Sequence, residues 1–114
     1  MAAGKLNILI EQGATFNRIL TVKGDNDTPL DLTGKTLRGQ LRYHPNDASP
    51  ALTFTFTLAN QGTNPGVATW SATATATDAL TKTQAIYDVE LVDGSTVTRL
   101  LEGSAFVSLA VTKA

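Results

Sequence analysis

His44 is the only histidine in a chain of 114 residues without cysteine, so imidazole chemistry can enter at one position alone. A metal site there needs further ligands at fixed spacing, and nucleophilic catalysis needs a serine or cysteine whose proton the ring can take. The neighbours Pro45, Asn46 and Asp47 are turn formers instead, which places His44 in a solvated loop. Asp25, Asn26, Asp27 and Asp31 form the densest acidic cluster. Calcium binds such oxygens, but the alternating ladder of ligands and the closing bidentate Glu are missing, so a turn held by Asx hydrogen bonds is expected. Asp88, Glu90, Asp93 and Glu102 raise the question of a glycosidase carboxylate pair. Asp88 and Glu90, however, alternate with Tyr87, Val89 and Leu91, which is the pattern of a strand's outward polar face.

Arg38 and Arg42 share the polar side of one strand and, with His44 at its end, make a modest cationic stripe suited to an acidic partner or to cross-strand ion pairs. The glycines punctuate turns and are not assembled into a phosphate cradle. No catalytic, cofactor-binding or metal-binding residue is therefore assigned, and the protein is expected to be a binding or assembly protein, not an enzyme, with no cofactor and no small-molecule substrate. Nine basic and ten acidic residues give a net charge of −1, with no basic concentration of the kind that tracks a phosphate backbone. Nucleic acid is excluded as the expected partner. The stretch after Met1 is too short for a signal-peptide core or a bilayer span, so no membrane is expected either. The lack of cysteine fits synthesis in a reducing cytoplasm.

The elements that would carry these residues follow from side-chain period, and period two dominates. Leu6, Ile8 and Ile10 share one parity up to the break at Gln12-Gly13. Phe16, Leu20 and Val22 share another, with Arg18 intruding, before the run Lys23 to Pro29 stops the strand. Leu37 to Tyr43 alternates with Arg38, Gln40 and Arg42. Leu52, Phe54, Phe56 and Leu58 point inward between Thr53, Thr55 and Thr57, the strongest strand signal in the chain. Val67 to Trp70 is a short strand with Trp70 as a core anchor. Tyr87 to Leu91 leads through Asp93-Gly94 into a hairpin. The last strand keeps Leu101, Ala105, Val107, Leu109 and Val111 on one side, and Gly103 within it suggests a bulge or a bend where the strand passes between sheets.

Ser71 to Gln84 reads either way, as extended Thr-Ala alternation or as one helical turn near Asp78-Lys82 capped by Thr77 or Asp78. The sum is one domain, residues 1–114, all-β: an immunoglobulin-like antiparallel β-sandwich of about seven strands. The contact candidates are the residues this core explains least. They are Arg42, His44, Asn46 and Asp47 in the first loop, and Thr75, Thr77 and Lys82 in the Ala/Thr-rich segment.

A series of short motifs adds a resemblance. Glu11-Gln12-Gly13-Ala14-Thr15-Phe16 is followed by Pro29-Leu30-Asp31-Leu32-Thr33-Gly34, then by Tyr87-Asp88-Val89-Glu90-Leu91-Val92-Asp93-Gly94 and Thr98-Arg99-Leu100-Leu101-Glu102-Gly103. Their order resembles the small β-sandwich modules of tailed-phage virion proteins, notably the N-terminal domain of baseplate upper proteins and related tail-fibre or adaptor domains. The resemblance implies a virion structural protein that docks on other phage proteins and on copies of itself in the tail, baseplate or connector region. It also permits a cement role on the capsid. In many such proteins the domain heads a longer polypeptide, and an end at Ala114 is compatible with a stand-alone adaptor. A host-attachment module that binds glycans is the alternative of another class; most of the aromatics, however, fit core parity. As structural elements, Asp31 and Thr33 would bond nearby backbone while Gly34 takes a conformation closed to larger residues.

Overall fold

The computed structural model describes residues 3–112; Met1, Ala2, Lys113, Ala114 and the Asp25 side chain lie outside the described residues. The strands are β1 (Gly4–Lys5), β2 (Ile8–Glu11), β3 (Phe16–Thr21), β4 (Thr36–Arg42), β5 (Leu52–Thr53), β6 (Thr55–Leu58), β7 (Val67–Ala72), β8 (Gln84–Asp93) and β9 (Thr96–Ser108), with one short helix, α1 (Ala74–Asp78). They form two sheets packed as a sandwich. The large sheet runs β1-β9-β8-β4-β5, with β2 also on β9, and the small sheet runs β3-β7-β6. All pairings are antiparallel except those of β1 and β2, which lie parallel to β9.

The alternation seen in the sequence sets the faces. Ile8, Ile10, Leu41, Val89, Ala105 and Val107 turn inward from the large sheet; Phe16, Ala68, Trp70 and Ala72 turn inward from the small one. Trp70 sits at the middle of the core. Its ring meets Phe16 at 5.5 Å, Phe54 at 5.3 Å and Tyr87 at 5.5 Å between centroids, edge-on or tilted, and stacks on Phe56 at 6.2 Å. Such pairs add about 1 kcal/mol each beyond the area they bury. A second cluster, Val22, Leu32, Leu37, Ala68 and Leu91, fills the far end. Asp31, Thr33 and Gly34 behave as the sequence suggests: the Asp31 carboxylate accepts from the Thr33 N–H at 2.9 Å and hydroxyl at 2.7 Å, and Gly34 adopts φ +76°.

Five expectations change. The last strand ends at Ser108, so Leu109 and Val111, expected on its inward side, lie beyond it and are exposed. The first strand is interrupted at Leu6-Asn7, so Leu6 is half exposed and only Ile8 and Ile10 reach the core. The segment Leu52 to Leu58 is one run in sequence but two strands in space. Leu52 and Thr53 pair with β4, Thr55 to Leu58 pair with β7, and Phe54 is the pivot, donating its N–H to Gly39 O at 2.9 Å. The chain therefore passes between sheets at Phe54 and not at Gly103. The bulge in β9 is also elsewhere: Val89 pairs with Leu101 and Glu90 with Arg99, leaving Leu100 as the extra residue, while Gly103 stays in register with Tyr87. Gly103 is glycine for another reason, since a Cβ there would overlap the Leu6 carbonyl. Finally, the helical turn begins one turn earlier than expected. Thr73 caps it through the Ala76 N–H at 3.1 Å, and it ends at Asp78.

Candidate functional site

The two segments singled out as contact candidates do meet. Arg42 ends β4 and its Nε donates to Asp47 O at 3.2 Å, drawing the loop back on itself. His44 and Asp47 close that loop: the His44 N–H donates to the Asp47 carboxylate at 3.1 Å, the Asp47 N–H donates to His44 O at 3.0 Å, and His44 Nδ1 accepts from the Asn46 N–H at 3.2 Å. Nδ1 of the ring is thus engaged within the loop. Between Arg42 and His44, Tyr43 reaches the other segment. Its hydroxyl accepts from the Thr81 N–H at 2.8 Å, and the Lys82 ammonium lies 5.1 Å from its ring centroid. His44, Asn46, Asp47 and Lys82 are all exposed around this junction.

Thr75 and Thr77 do not join them. Thr75 is exposed on α1, and Thr77 is fully buried, which overturns its assignment as a contact residue. The Thr77 hydroxyl donates towards Ala14 O at 2.8 Å and Ala74 O at 3.1 Å and accepts from the Gly13 N–H at 3.1 Å. It thereby ties the buried face of α1 to the backbone of the β2–β3 turn, whose residues Gly13 and Ala14 are themselves exposed. A helix of five residues cannot hold itself by backbone bonds, and Thr77 with the buried Leu80 anchors it.

The surface with the most interaction chemistry is the outer face of the large sheet. Asp88 and Glu90 point outward, as their alternation required. Arg38 Nε meets Glu90 at 2.7 Å, Arg99 meets Asp88 at 3.5 Å and Glu102 at 3.1 Å, and Lys5 also pairs with Glu102. These surface pairs contribute little stability individually, but they fix side chains in place. Arg42 Nη1 donates to Gln40 Oε1 at 2.5 Å at one side of the network. Burial, then the neighbouring Glu90 carboxylate, push the Asp88 carboxyl above the usual carboxylate range, against the pull of Arg99, Arg42 and Arg38. A shallow cleft of about 520 Å³ opens here between Lys5, Arg42, Ile86, Asp88, Arg99 and Glu102.

Beside the charges lies an apolar row missed from the sequence. Leu9 and Phe106 are register partners on β2 and β9, and Ile86 is the diagonal neighbour of Phe106 on β8. They are 52%, 43% and 38% exposed. The signal was present: Leu9 falls between Ile8 and Ile10, and Phe106 between Ala105 and Val107, both on the parity reserved for polar residues. The outer face is thus mixed, with exposed aromatic and aliphatic side chains beside paired charges.

What the fold defines is a class, a two-sheet β-sandwich with one shallow, mixed apolar and charged outer face. Neither the protein-family models nor the curated proteins compared with this chain give a match.

Proposed function

We propose that this chain is a structural module of a tailed-phage virion, docking on neighbouring structural proteins in the tail, baseplate, fibre-adaptor or connector region and acting by surface complementarity without chemistry. The carrying observation is the outer face of the large sheet, where Leu9, Ile86 and Phe106 stand exposed beside the Lys5, Arg99, Asp88 and Glu102 network. The order of the sequence motifs supports the phage setting. The strand order supports the immunoglobulin-like reading, with the first strand on the last and the fourth and fifth completing one sheet while β3, β7 and β6 form the other.

The test is location. Particles purified from the host are expected to contain the chain in fixed stoichiometry, with density for a β-sandwich at a tail, baseplate or connector position. Phe106→Ser is expected to fold normally and to be under-incorporated. Absence of the chain from particles overturns the proposal, and density on the capsid surface moves it to the cement role. A second reading, binding of a host glycan, draws on the exposed Phe106 ring, whose diagonal neighbour Ile86 lines the cleft. A glycan array on which Phe106→Ser and the parent are equally silent removes it.

A further inference from the structure

We propose that the free edge of β3 pairs antiparallel with β3 of a second copy, about a two-fold axis at Ile19, joining two small sheets into one. The proposal rests on the assembly role above for its purpose, and names a partner and a surface for it. β3 is an outer strand of its sheet, bonded on one side to β7. Just beyond it, Val22 donates to Gly66 O at 2.7 Å on the β7 side, so the even residues Phe16, Arg18 and Leu20 aim their backbone groups at β7. Asn17, Ile19 and Thr21 aim theirs at the open edge. The strand has no proline and no bulge to blunt that edge, and its one charge, Arg18, on the inward parity between Phe16 and Leu20, is folded onto the Phe16 ring.

The register follows. Centring the pair on Ile19 sets Asn17 opposite Thr21 of the second copy, Ile19 opposite Ile19, and Thr21 opposite Asn17. Each of these is an open-edge residue, so every pair is of the hydrogen-bonded type and exchanges both N–H···O bonds. Side chains agree with the backbone. Ile19, 71% exposed in the single chain, meets its own copy as a β-branched cross-strand pair, flanked by Asn-Thr pairs. Arg18 falls opposite Leu20, so no like charges face one another. Arg18 itself packs on the Phe16 ring at 4.9 Å and reaches Asn17 O at 3.4 Å and Leu9 O at 3.5 Å. In the pair, the Thr21 N–H of the second copy replaces its long bond to Asn17 O.

Sedimentation of the purified chain over a range of concentrations is expected to show the mass rise from 12.0 kDa towards twice that value. In parallel, exchange of the Asn17, Ile19 and Thr21 amide hydrogens is expected to slow as concentration rises. Ile19→Lys places two cations opposite each other, and Ile19→Pro removes the central donor without touching a β3–β7 bond; both are expected to sediment as monomers. Thr57→Lys, on the other outer strand of the same sheet, is expected to keep the dimer. A wild-type chain monomeric at every concentration overturns the pairing, as does a dimer that survives Ile19→Lys. If Ile19→Pro fails to fold, Ile19→Lys at an exposed position still decides. Absence of the chain from particles strikes the virion role and not the pairing, whereas a monomer in solution strikes the pairing alone.

Discussion

Tyr87 donates its hydroxyl hydrogen to Leu6 O at 2.6 Å, tying the middle of β8 to the break between β1 and β2. The break leaves Leu6 outside both strands, and three contacts settle it. The Leu6 N–H bonds Glu102 O at 3.0 Å, Tyr87 holds its carbonyl, and the Asn7 side chain accepts from the Ser104 N–H at 3.1 Å. A parallel edge strand of two short pieces is thereby locked onto β9.

Replacing Tyr87 by Phe leaves the Leu6 carbonyl without its donor and is expected to cost about 1–2 kcal/mol. The same group gives a pH dependence. Burial raises its pKa to about 12 from the ordinary 10, so the folded chain keeps a proton that the unfolded chain releases. Its contribution is complete below pH 10 and is lost as pH rises from 10 towards 12. Thermal melts in that window should fall more steeply for the wild type than for Tyr87→Phe, and equal slopes would contradict the assignment.

Gly103→Ala is expected to be among the most damaging small substitutions in the chain. Its Cβ overlaps the Leu6 carbonyl and crowds Asn7 Oδ1, so β1–β2 must shift off β9. Overpacking of this kind costs about 2–3 kcal/mol, which at this chain length lowers the melting temperature by roughly 10–20 °C. Gly34→Ala tests the opposite case. No atom lies within 4 Å of its Cβ, and only the positive φ opposes it, so a loss of about 1 kcal/mol is expected.

Thr77→Val preserves shape and removes the hydroxyl that serves Gly13, Ala14 and Ala74. Loss of the bonds that tie the buried Thr77 side chain to this exposed turn is expected to cost about 1 kcal/mol by denaturant titration. Were Thr77 a partner contact, the variant would fold as well as the parent and fail only in binding.

Asp88→Asn tests the charged face. Because the folded environment raises the Asp88 pKa, the native state binds this proton more readily than the unfolded chain. The group's stabilisation is therefore present in acid and lost as pH rises through the folded pKa. The Asn variant is expected to melt higher than the wild type at neutral pH and to converge with it in acid. A lower melt at neutral pH would show that the Arg99 ion pair outweighs burial.

The legible part of this protein was its local grammar. Alternation placed Leu37, Leu41, Leu52, Phe54, Trp70, Tyr87 and Val89 inside, and turn chemistry placed the Asp31-Thr33-Gly34 entry and the Asp93-Gly94 hairpin. These depend on which side of a ribbon is apolar and on which residues tolerate a turn, both written in side-chain type.

Only the tertiary structure decided the pairings. Every residue but proline offers the same backbone N–H and C=O, so composition does not say which ribbon a strand bonds to, and the exchange of sheets at Phe54 left no mark in the Leu-Thr-Phe-Thr-Phe alternation. For the same reason Gly103 suggested a bulge when its role is to admit the Leu6 backbone, and Thr77 resembled a surface residue while binding groups 63 and 64 positions away. The apolar row of Leu9, Ile86 and Phe106 belongs to both accounts. All three members break the alternation in the sequence, but only the parallel register of β2 on β9 sets Leu9 beside Phe106 and makes a surface of them.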